Sequence, residues 1–338
     1  MIVKKMPILQ GFPAPEVVKN LSEQMIETAH FSPVFYDIET TGLARNSSFC
    51  YLIGAVAQVG EKWQFHQWMA ENEGEEREIL CEFFDFLSDF TVTVQYNGNR
   101  FDQPFLETRY RKYGMASPFE GKPSLDLYRE LRPCQRLLKL ERMNQPDMEA
   151  FLGIRERDYC DGGKCIRLYK TYTRKPDPQL AETVMGHNEE DLKGLGRIVE
   201  MLGYRALTEG LCDPLDAVLE DGSLILSLAL PFSLPVTVSA KGEGFYLTAD
   251  SRKARLLLPL KEGRLRRYYA AYKEYEYLPA EDTAIARSLS QYMDRSLRVP
   301  ATPETCYTWF SCDQTFLFDK ERQRAYLHGT LPCLLKLL

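Results

Sequence analysis

Two carboxylates stand two residues apart in the segment Asp37-Ile38-Glu39, within the motif DIETTGL. If this segment is a β-strand, both side chains project from the same face and point toward one place. Carboxylates that converge repel each other unless a cation neutralises them, and oxygen ligands favour Mg²⁺ or Mn²⁺. The pair therefore predicts a metal site at the end of a strand, although such pairs also occur on solvated strand ends.

A further carboxylate, Asp102, follows the segment YNGNRF. The β-branched residues before this segment predict a strand at 91–96, and Asn97 and Gly98 are typical residues for ending it. Asp102 would then stand at the start of the next helix. Capping that helix is an alternative role for Asp102, but capping does not account for Asn97.

The third segment with chemical potential is HNEED, in which His187 and Asp191 are four residues apart. In a helix, this spacing puts both side chains on one face. A histidine one turn from a metal-ligating carboxylate can take a proton from a water molecule at the metal. The alternative is a solvated helix face that carries a histidine and a cluster of acids.

Hydrophobic patterning predicts the elements that would position these residues. Short connections between three successive strands indicate an antiparallel meander, and a helix, a fourth strand and further helices follow. The predicted strands are 33–37, 50–59, 62–69 and 91–96, and the predicted helices are 75–90, 103–113, 126–140, 146–152 and 178–202. This order is typical of an α/β fold with a mixed sheet flanked by helices.

The pattern changes near Gly203, beyond which turn signals and alternating residues predict mostly strands. Strand segments are predicted at 223–231, 235–249 and 254–269, a helix at 281–294 and a final hairpin at 315–328. We therefore expect two domains, the first at 1–204 and a β-rich second domain at 205–338. The tyrosine-rich segment 268–279 favours either packing between the domains or binding of single strands.

Taken together, DIETTGL, YNGNRFDQPFL and HNEED resemble the three exonuclease motifs of the DEDD superfamily of 3′–5′ exonucleases. The resemblance extends to the YprB-like bacterial proteins with a ribonuclease-H-like domain, and it covers about residues 31–202. It implies a ribonuclease-H-like fold for this region, with the C-terminal domain outside the catalytic fold.

The resemblance assigns a role to each matching residue. The four motif acids would hold two Mg²⁺ or Mn²⁺ ions, and they are Asp37, Glu39, Asp102 and Asp191. His187 falls where the superfamily places its general base. One branch of the superfamily has Tyr four residues before the last Asp and another has His five residues before it. With His four residues before Asp191, this chain combines both patterns.

The activity that the resemblance implies is that of a 3′–5′ exonuclease, which hydrolyses phosphodiester bonds by a two-metal-ion mechanism. Thr41 and Asn97 would hold the terminal nucleotide. Phe101 or Phe105 would stack on a base, unless the rings pack in the core. Asp126 resembles a further acid of this superfamily and would either shape the site or cap a helix. Two other classes stay open: an inactive nucleic-acid-binding or scaffold protein with the same fold, and a structure-specific endonuclease.

Charge is unevenly distributed along the chain. The formal net charge is −6 at pH 7, with −8 in residues 1–99, +6 in 100–175 and −4 in 176–338. The acidic total favours single-stranded DNA or RNA over long duplex, and the basic middle segment is a candidate phosphate-binding surface. Because no segment is apolar for long enough to span a membrane and no signal peptide is recognisable, we expect a cytoplasmic protein without a membrane partner.

Overall fold

The computed structural model describes residues 1–8, 12–22, 26, 30–60, 62–154 and 162–338. These residues form two compact units. The first unit contains residues 1–132 and 142–202, and the second contains 133–141 and 203–338. The main boundary between the units lies near Gly203, where the sequence pattern changes from mostly helical to mostly strand-like. Residues 133–141 also belong to the second unit, and the hydrophobic pattern did not predict this.

The first unit contains both strands and helices. The strands are β1 (Ile2–Pro7), β2 (Pro33–Thr40), β3 (Cys50–Val59), β4 (Lys62–Met69), β5 (Val92–Gln95) and β6 (Ser124–Asp126). The helices up to residue 198 are α1 (Pro15–Ser22), α2 (Glu76–Ser88), α3 (Asp102–Lys112), α4 (Leu127–Leu131), α5 (Gln135–Leu138), α6 (Gln145–Phe151), α7 (Gly162–Tyr172) and α8 (Pro178–Ile198), of which α5 belongs to the second unit. Among the described residues of either unit, no helix has the length and apolar character that crossing a membrane requires.

The strands of the first unit form one mixed sheet in the order β1-β4-β3-β2-β5-β6. β2, β3 and β4 pair as an antiparallel meander, and β1 adds an antiparallel edge beside β4. On the other side of β2, β5 and β6 continue the sheet in parallel. The mixed sheet and its meander confirm the expectation from the sequence, while β1 was not predicted.

The centre of this sheet is covered on both faces. Every residue of β5 is buried, and so is β3 from Cys50 to Ala57. A strand that is buried on both faces carries a continuous apolar run rather than an alternating one, as CYLIGAVA does. The core on one face includes Tyr36, Trp68 and Phe83. This packing fixes β2 rigidly, and β2 carries the first two candidate ligands.

The helix predicted at 126–140 is interrupted. α4 ends at Leu131, a 3₁₀ turn follows at Arg132–Cys134, and α5 ends before Lys139, whose φ is 55°. Pro133 accounts for the break, because proline has no N–H group to continue the hydrogen bonds of the helix.

The second unit is β-rich, as the sequence predicts. Its strands are β7 (Asp213–Glu220), β8 (Ser223–Ala229), β9 (Val238–Gly242), β10 (Phe245–Asp250), β11 (Lys253–Pro259), β12 (Arg264–Tyr268), β13 (Tyr275–Leu278), β14 (Thr283–Ala286), β15 (Val299–Pro300) and β16 (Tyr307–Ser311). Its remaining helices are α9 (Gly203–Thr208), α10 (Arg287–Ser290), α11 (Gln314–Phe318) and α12 (Lys320–Lys336). The strand orders of its sheets are β7-β8-β11-β10-β9, β12-β16 and β14-β13-β15.

The helix predicted at 281–294 is wrong for its first half. Residues Thr283–Ala286 form β14, which pairs with β13 around a turn in which Asp282 has a φ of 51°. A helix follows only at Arg287–Ser290. Short apolar runs do not distinguish strand from helix, and here the cross-strand pairing decides the conformation.

The hairpin predicted at 315–328 is also wrong, because this segment is helical in α11 and α12. Asp313 accepts a hydrogen bond from the backbone N–H of Phe316 at 3.0 Å, which caps α11. Asp319 accepts from the N–H groups of Glu321 and Arg322 and caps α12. These aspartates are helix-start signals, and they outweigh the alternating pattern on which the hairpin prediction depended.

Candidate active site

The first two candidate ligands, Asp37 and Glu39, lie near the C-terminal end of β2. Asp37 pairs with Gly54 of β3 and Glu39 pairs with Leu52, and the register shifts between Glu39 and Thr40. Because Asp37 and Glu39 are two residues apart on a strand, their side chains share one face of the sheet. Glu39 is 8% exposed, so its carboxylate is almost entirely removed from water.

Helix α8 packs on this face and brings the third motif to β2. The close approach depends on Gly54, where an added Cβ atom would overlap the Asn188 amide and lie 2.7 Å from Cδ1 of Leu192. The Asn188 side-chain nitrogen donates a hydrogen bond to Oδ2 of Asp37 at 2.8 Å. The Asn188 oxygen accepts one from Nε2 of Gln67 at 2.9 Å. Asn188 thereby fixes the Asp37 carboxylate against the helix.

His187 lies between two of the candidate ligands. Its Nε2 atom is 3.3 Å from Oδ2 of Asp191, one helical turn later, and 3.6 Å from Oε1 of Glu39. His187 is 6% exposed. The imidazole therefore bridges α8 and β2 in a nearly buried position, which is where the sequence placed a general base.

Asp102 is the first residue of α3 and is 8% exposed. Backbone N–H groups of Ile38 and of Asp102 itself hydrogen-bond to its carboxylate. Ile38 lies between Asp37 and Glu39 on β2, so this contact places Asp102 beside both of them. The ligand atoms of Glu39, His187 and Asp191 lie within 4.8 Å of one another, and Asp37 and Asp102 lie next to this group but outside it.

Burial and neighbouring charges perturb the carboxylates of Asp37, Glu39 and Asp102. Burial raises the pKa of Asp37 well above its usual range, and the charges of Asp191 and Asp102 raise it further. The pKa of Glu39 is raised well above its usual range for the same reasons, in the same order. Burial raises the pKa of Asp102 to about 7 against the lowering effect of the Ile38 N–H group. These shifts show that the acids lie within electrostatic range and lack full compensation.

The donor set fits a divalent cation. In the described parts of the chain, no lysine or arginine forms an ion pair with Asp37, Glu39 or Asp102. Buried like charges of this kind are either protonated or neutralised by a cation. Oxygens of Glu39 and Asp191 and a nitrogen of His187 all lie within 4.8 Å of one another. Carboxylate oxygens are the ligands that Mg²⁺ and Mn²⁺ prefer.

Asp126 has both of the roles left open by the sequence. Its carboxylate accepts hydrogen bonds from the backbone N–H groups of Asn97 at 2.8 Å and Asn99 at 3.2 Å. The same carboxylate caps α4 by accepting from the N–H of Tyr128 at 3.1 Å. Asn97 has a φ of 59°, a left-handed conformation that asparagine tolerates better than most residues. Asp126 therefore holds the turn that leads to Asp102.

The proposed substrate residues occupy different environments. The Thr41 hydroxyl accepts a hydrogen bond from the backbone N–H of Phe49 at 3.1 Å, which holds the end of β2 to the start of β3. Asn97 and Phe101 are both partly exposed. Phe105 is fully buried in the core of the first unit, where its ring has no surface for a base. For Phe105 the structure therefore gives the core-packing role that the sequence had left as the alternative.

Sequence reasoning missed the residues that orient the ligands. Asn188 and Gln67 are both fully buried and are joined to Asp37 in one hydrogen-bonded chain. The hydroxyl of Tyr51 lies 3.5 Å from Oε2 of Glu39. The sequence carries one signal for Asn188, which is its position next to His187. The requirement for glycine at position 54 follows only from the packing of α8 on β3.

The first unit has the fold of a known superfamily. A profile of the RNase_H_2 family, described as RNase_H superfamily, matches residues 34–203. The chain therefore belongs to the RNase_H superfamily. The matched region contains the four motif acids and His187, and it ends at the change of unit.

Two relatives share part of this region. The chain is 27% identical over 179 residues to "Uncharacterized protein YprB" of Bacillus subtilis strain 168, with 52% of this chain and 43% of that protein covered. It is 31% identical over 133 residues to "DNA polymerase III PolC-type" of Ureaplasma parvum serovar 3, with 32% of this chain and 9% of the polymerase covered. The chain thus matches less than half of the length of either relative.

Among solved structures, the family B DNA polymerase of the hyperthermophilic archaeon Pyrobaculum calidifontis aligns with a TM-score of 0.42 and 18% identity. The alignment covers 54% of this chain and 27% of the polymerase chain. A TM-score this low adds nothing to the family assignment. The superfamily match and the two relatives identify the protein as one with an RNase-H-like nuclease domain.

Proposed function

We propose that the protein is a metal-dependent 3′–5′ exonuclease that hydrolyses phosphodiester bonds of single-stranded DNA or RNA. The observation that carries this proposal is the convergence of Glu39, His187 and Asp191, from two elements of the first unit, at one nearly buried point. A scaffold protein that had lost catalysis would not need a buried group of mutually repelling acids, since such a group destabilises the fold.

The metal ligands in this proposal are the four motif carboxylates, Asp37, Glu39, Asp102 and Asp191. Mg²⁺ or Mn²⁺ bound there, as two ions, would offset the carboxylate charges, activate a water molecule and stabilise the leaving oxygen. Asn188 and Gln67 hold Asp37 in a fixed orientation before any ion binds. Such preorganisation reduces the cost of assembling the site.

His187 would act as the general base through Nε2. This atom lies 3.3 Å from Asp191 and 3.6 Å from Glu39, so it faces the acid cluster rather than solvent. When Nε2 accepts a proton from the attacking water, the ring becomes positively charged. The two neighbouring carboxylates stabilise that charge, because opposite charges attract strongly at this range.

The substrate would lie at the end of β2 and at the turn before α3. We assign the base-stacking contact to Phe101, because its ring is partly exposed whereas Phe105 is fully buried. Asn97 and Thr41 would contact the terminal nucleotide, with the Thr41 hydroxyl also tied to Phe49. In this proposal, residues 1–204 form the catalytic domain and 205–338 a second domain.

The test uses single-stranded DNA and RNA labelled in turn at each end, with Mg²⁺ or Mn²⁺, and products resolved on a sequencing gel. A 3′–5′ exonuclease gives a ladder that shortens from the 3′ end. Cleavage at internal positions from the first time point would indicate the endonuclease alternative, and no cleavage with either metal would contradict the proposal.

A pair of matched variants of α8 shows whether the assigned site does the chemistry. Asp191→Asn should abolish hydrolysis. Glu189→Gln, two residues earlier, should leave it unchanged, because Glu189 pairs with Lys4 at 2.9 Å and Lys193 at 2.6 Å instead of facing the acid cluster. Equal activity of the two variants would mean that Asp191 is not a catalytic ligand.

A further inference from the structure

A two-stranded ribbon in the second unit carries several cations on aromatic rings. β12 and β16 pair antiparallel, with Arg266 opposite Trp309. The turn before β12 closes by hydrogen bonds between the backbones of Lys261 and Arg264, and its central residues Glu262 and Gly263 have φ values of 54° and 74°. Two consecutive positive φ values are typical of a tight hairpin turn. The turn places Lys261 near the indole ring of Trp309, which Arg264 and Arg266 also approach.

Three cations surround the ring of Trp309. Arg266 lies 5.1 Å from the ring centroid, Lys261 lies 5.4 Å away and Arg264 lies 5.6 Å away. Arg266 also lies 4.4 Å from the ring centroid of Tyr307. We call these five residues the cation–aromatic surface. Arg264 and Arg266 are two residues apart on one strand, so their backbones are separated by about 7 Å. Arg264 pairs with Glu262 at 3.0 Å and Lys261 pairs with Asp282 at 3.1 Å, whereas Arg266 forms no ion pair with a described residue.

Asp282 holds this surface in place. Trp309 donates its indole N–H to the backbone oxygen of Asp282 at 2.7 Å. The hydroxyl of Tyr307 donates to the Asp282 carboxylate, and Lys261 reaches the same carboxylate at 3.1 Å. Because the partly exposed ring of Trp309 is already fixed, its side chain would lose little freedom when a ligand stacks on it.

Arg266 is the cation with unused binding capacity. The guanidinium group hydrogen-bonds to the side chain of Tyr268, but its Nε atom is buried and has no hydrogen-bond partner among the described residues. A cavity of about 240 Å³ lies beside it, lined also by Lys261, Tyr268 and Trp309. Buried donors are nearly always paired, so a donor left unpaired beside a cavity indicates an acceptor that comes from a ligand.

We propose that the cation–aromatic surface is a binding site for single-stranded nucleic acid, in addition to the proposed hydrolytic site. The Arg266 cation attracts the phosphate backbone, and exposed bases stack on guanidinium planes and on the ring of Trp309, which is partly exposed whereas that of Tyr307 is buried. Paired bases of a duplex are not available for such stacking. The surface therefore binds single strands more tightly than duplex and has little preference for sequence.

Tryptophan fluorescence tests this proposal directly. The chain has three tryptophans, and Trp63 and Trp68 are only 5% and 2% exposed. The full chain is titrated in EDTA, which prevents metal-dependent hydrolysis, with single-stranded DNA, single-stranded RNA and a duplex of the same sequence. Saturable quenching by the single strands that disappears in Trp309→Phe is the expected result. Quenching that persists in Trp309→Phe, or none at all, would overturn the proposal.

Affinity measured by anisotropy of a labelled oligonucleotide gives the second test. Arg266→Gln should weaken binding roughly 5- to 100-fold and make the salt dependence shallower, by about 0.7 in the logarithmic slope for a lost phosphate contact. The matched control is Arg255→Gln, an exposed arginine of β11 in the same unit. Equal loss in both variants, or none in either, contradicts the assignment. If Arg266→Gln does not fold, Lys261→Gln replaces it, because Lys261 is exposed.

The two proposals fail independently. Asp191→Asn lies in the first unit and should keep both the quenching and the affinity. Quenching without any hydrolysis would leave the binding site standing and remove the nuclease proposal. Hydrolysis without quenching would remove the proposed binding site and leave the nuclease proposal standing.

Discussion

Replacement of Gly54 with alanine would disturb the packing that joins α8 to the sheet. The new Cβ atom would lie 2.7 Å from Cδ1 of Leu192 and would overlap the amide of Asn188. Asn188 would have to rotate away, because both elements are fully buried at this point. Rotation breaks the hydrogen bonds from Asn188 to Asp37 and from Gln67 to Asn188.

The expected cost follows from these contacts. A hydrogen bond to a charged group contributes about 1.5–3 kcal/mol, a neutral one about 1 kcal/mol, and overpacking costs about 1–3 kcal/mol. Asn188 either gives up its bonds or is compressed, so these terms are alternatives rather than a sum. We expect Gly54→Ala to lower the free energy of unfolding of the first unit by about 1–4 kcal/mol. A displaced Asp37 should also reduce turnover on the order of 100-fold.

Urea unfolding followed by tryptophan fluorescence measures this cost. In a Trp309→Phe background, the signal comes from Trp63 and Trp68, which are both buried in the first unit. Gly329→Ala is the control, because its added Cβ atom meets nothing within 4 Å and lies in the second unit. The control should leave this transition unchanged. A loss below about 0.5 kcal/mol in Gly54→Ala, within the range of ordinary surface substitutions, would refute the packing argument.

Three further outcomes are expected. His187→Ala should lower turnover by about 10²- to 10⁴-fold while Mn²⁺ affinity in calorimetry stays close to that of the parent; parallel loss of both would make His187 a ligand instead of the base. Burial raises the pKa of Asp102 to about 7, so the folded metal-free protein keeps a proton that the unfolded chain loses above about pH 4. Its stability should therefore fall as pH rises from about 4 to 7, and unfolding curves across this range should show that loss reduced by Mn²⁺. Arg109→Met should destabilise the protein by about 3–5 kcal/mol in urea titrations, because it leaves Glu76 buried without its ion pair, whereas exposed Arg111→Met should have little effect.

The sequence predicted the central meander well. The bounds of β3 and β4 agree with the predicted strands at 50–59 and 62–69. Long runs of apolar or alternating residues between short turns specify both the strand and its antiparallel partner, because a hairpin connection leaves few other pairings. The predicted strand at 33–37 ends too early, because β2 continues to Thr40 and so carries both Asp37 and Glu39.

The parts that were missed depend on packing. β1 pairs with β4, which is distant in sequence. α7 buries Cys165, Tyr169 and Tyr172 at helical spacing, and the prediction did not use this pattern. The contact between His187 and Glu39 requires α8 to approach β3 closely, and one glycine at position 54 permits that approach. In the second unit, the helix predicted at 281–294 begins as a strand because it pairs with β13. The hairpin predicted at 315–328 is helical because aspartates cap its helices.

The central claim is that the motif acids form one metal site, and a crystal structure of the full chain soaked with Mn²⁺ tests it most directly. Anomalous scattering locates the ions without reference to activity. We expect anomalous peaks within coordination distance of the carboxylates of Asp37, Glu39, Asp102 and Asp191. An occupied Mn²⁺ site elsewhere on the chain, with none at these carboxylates, would contradict this claim.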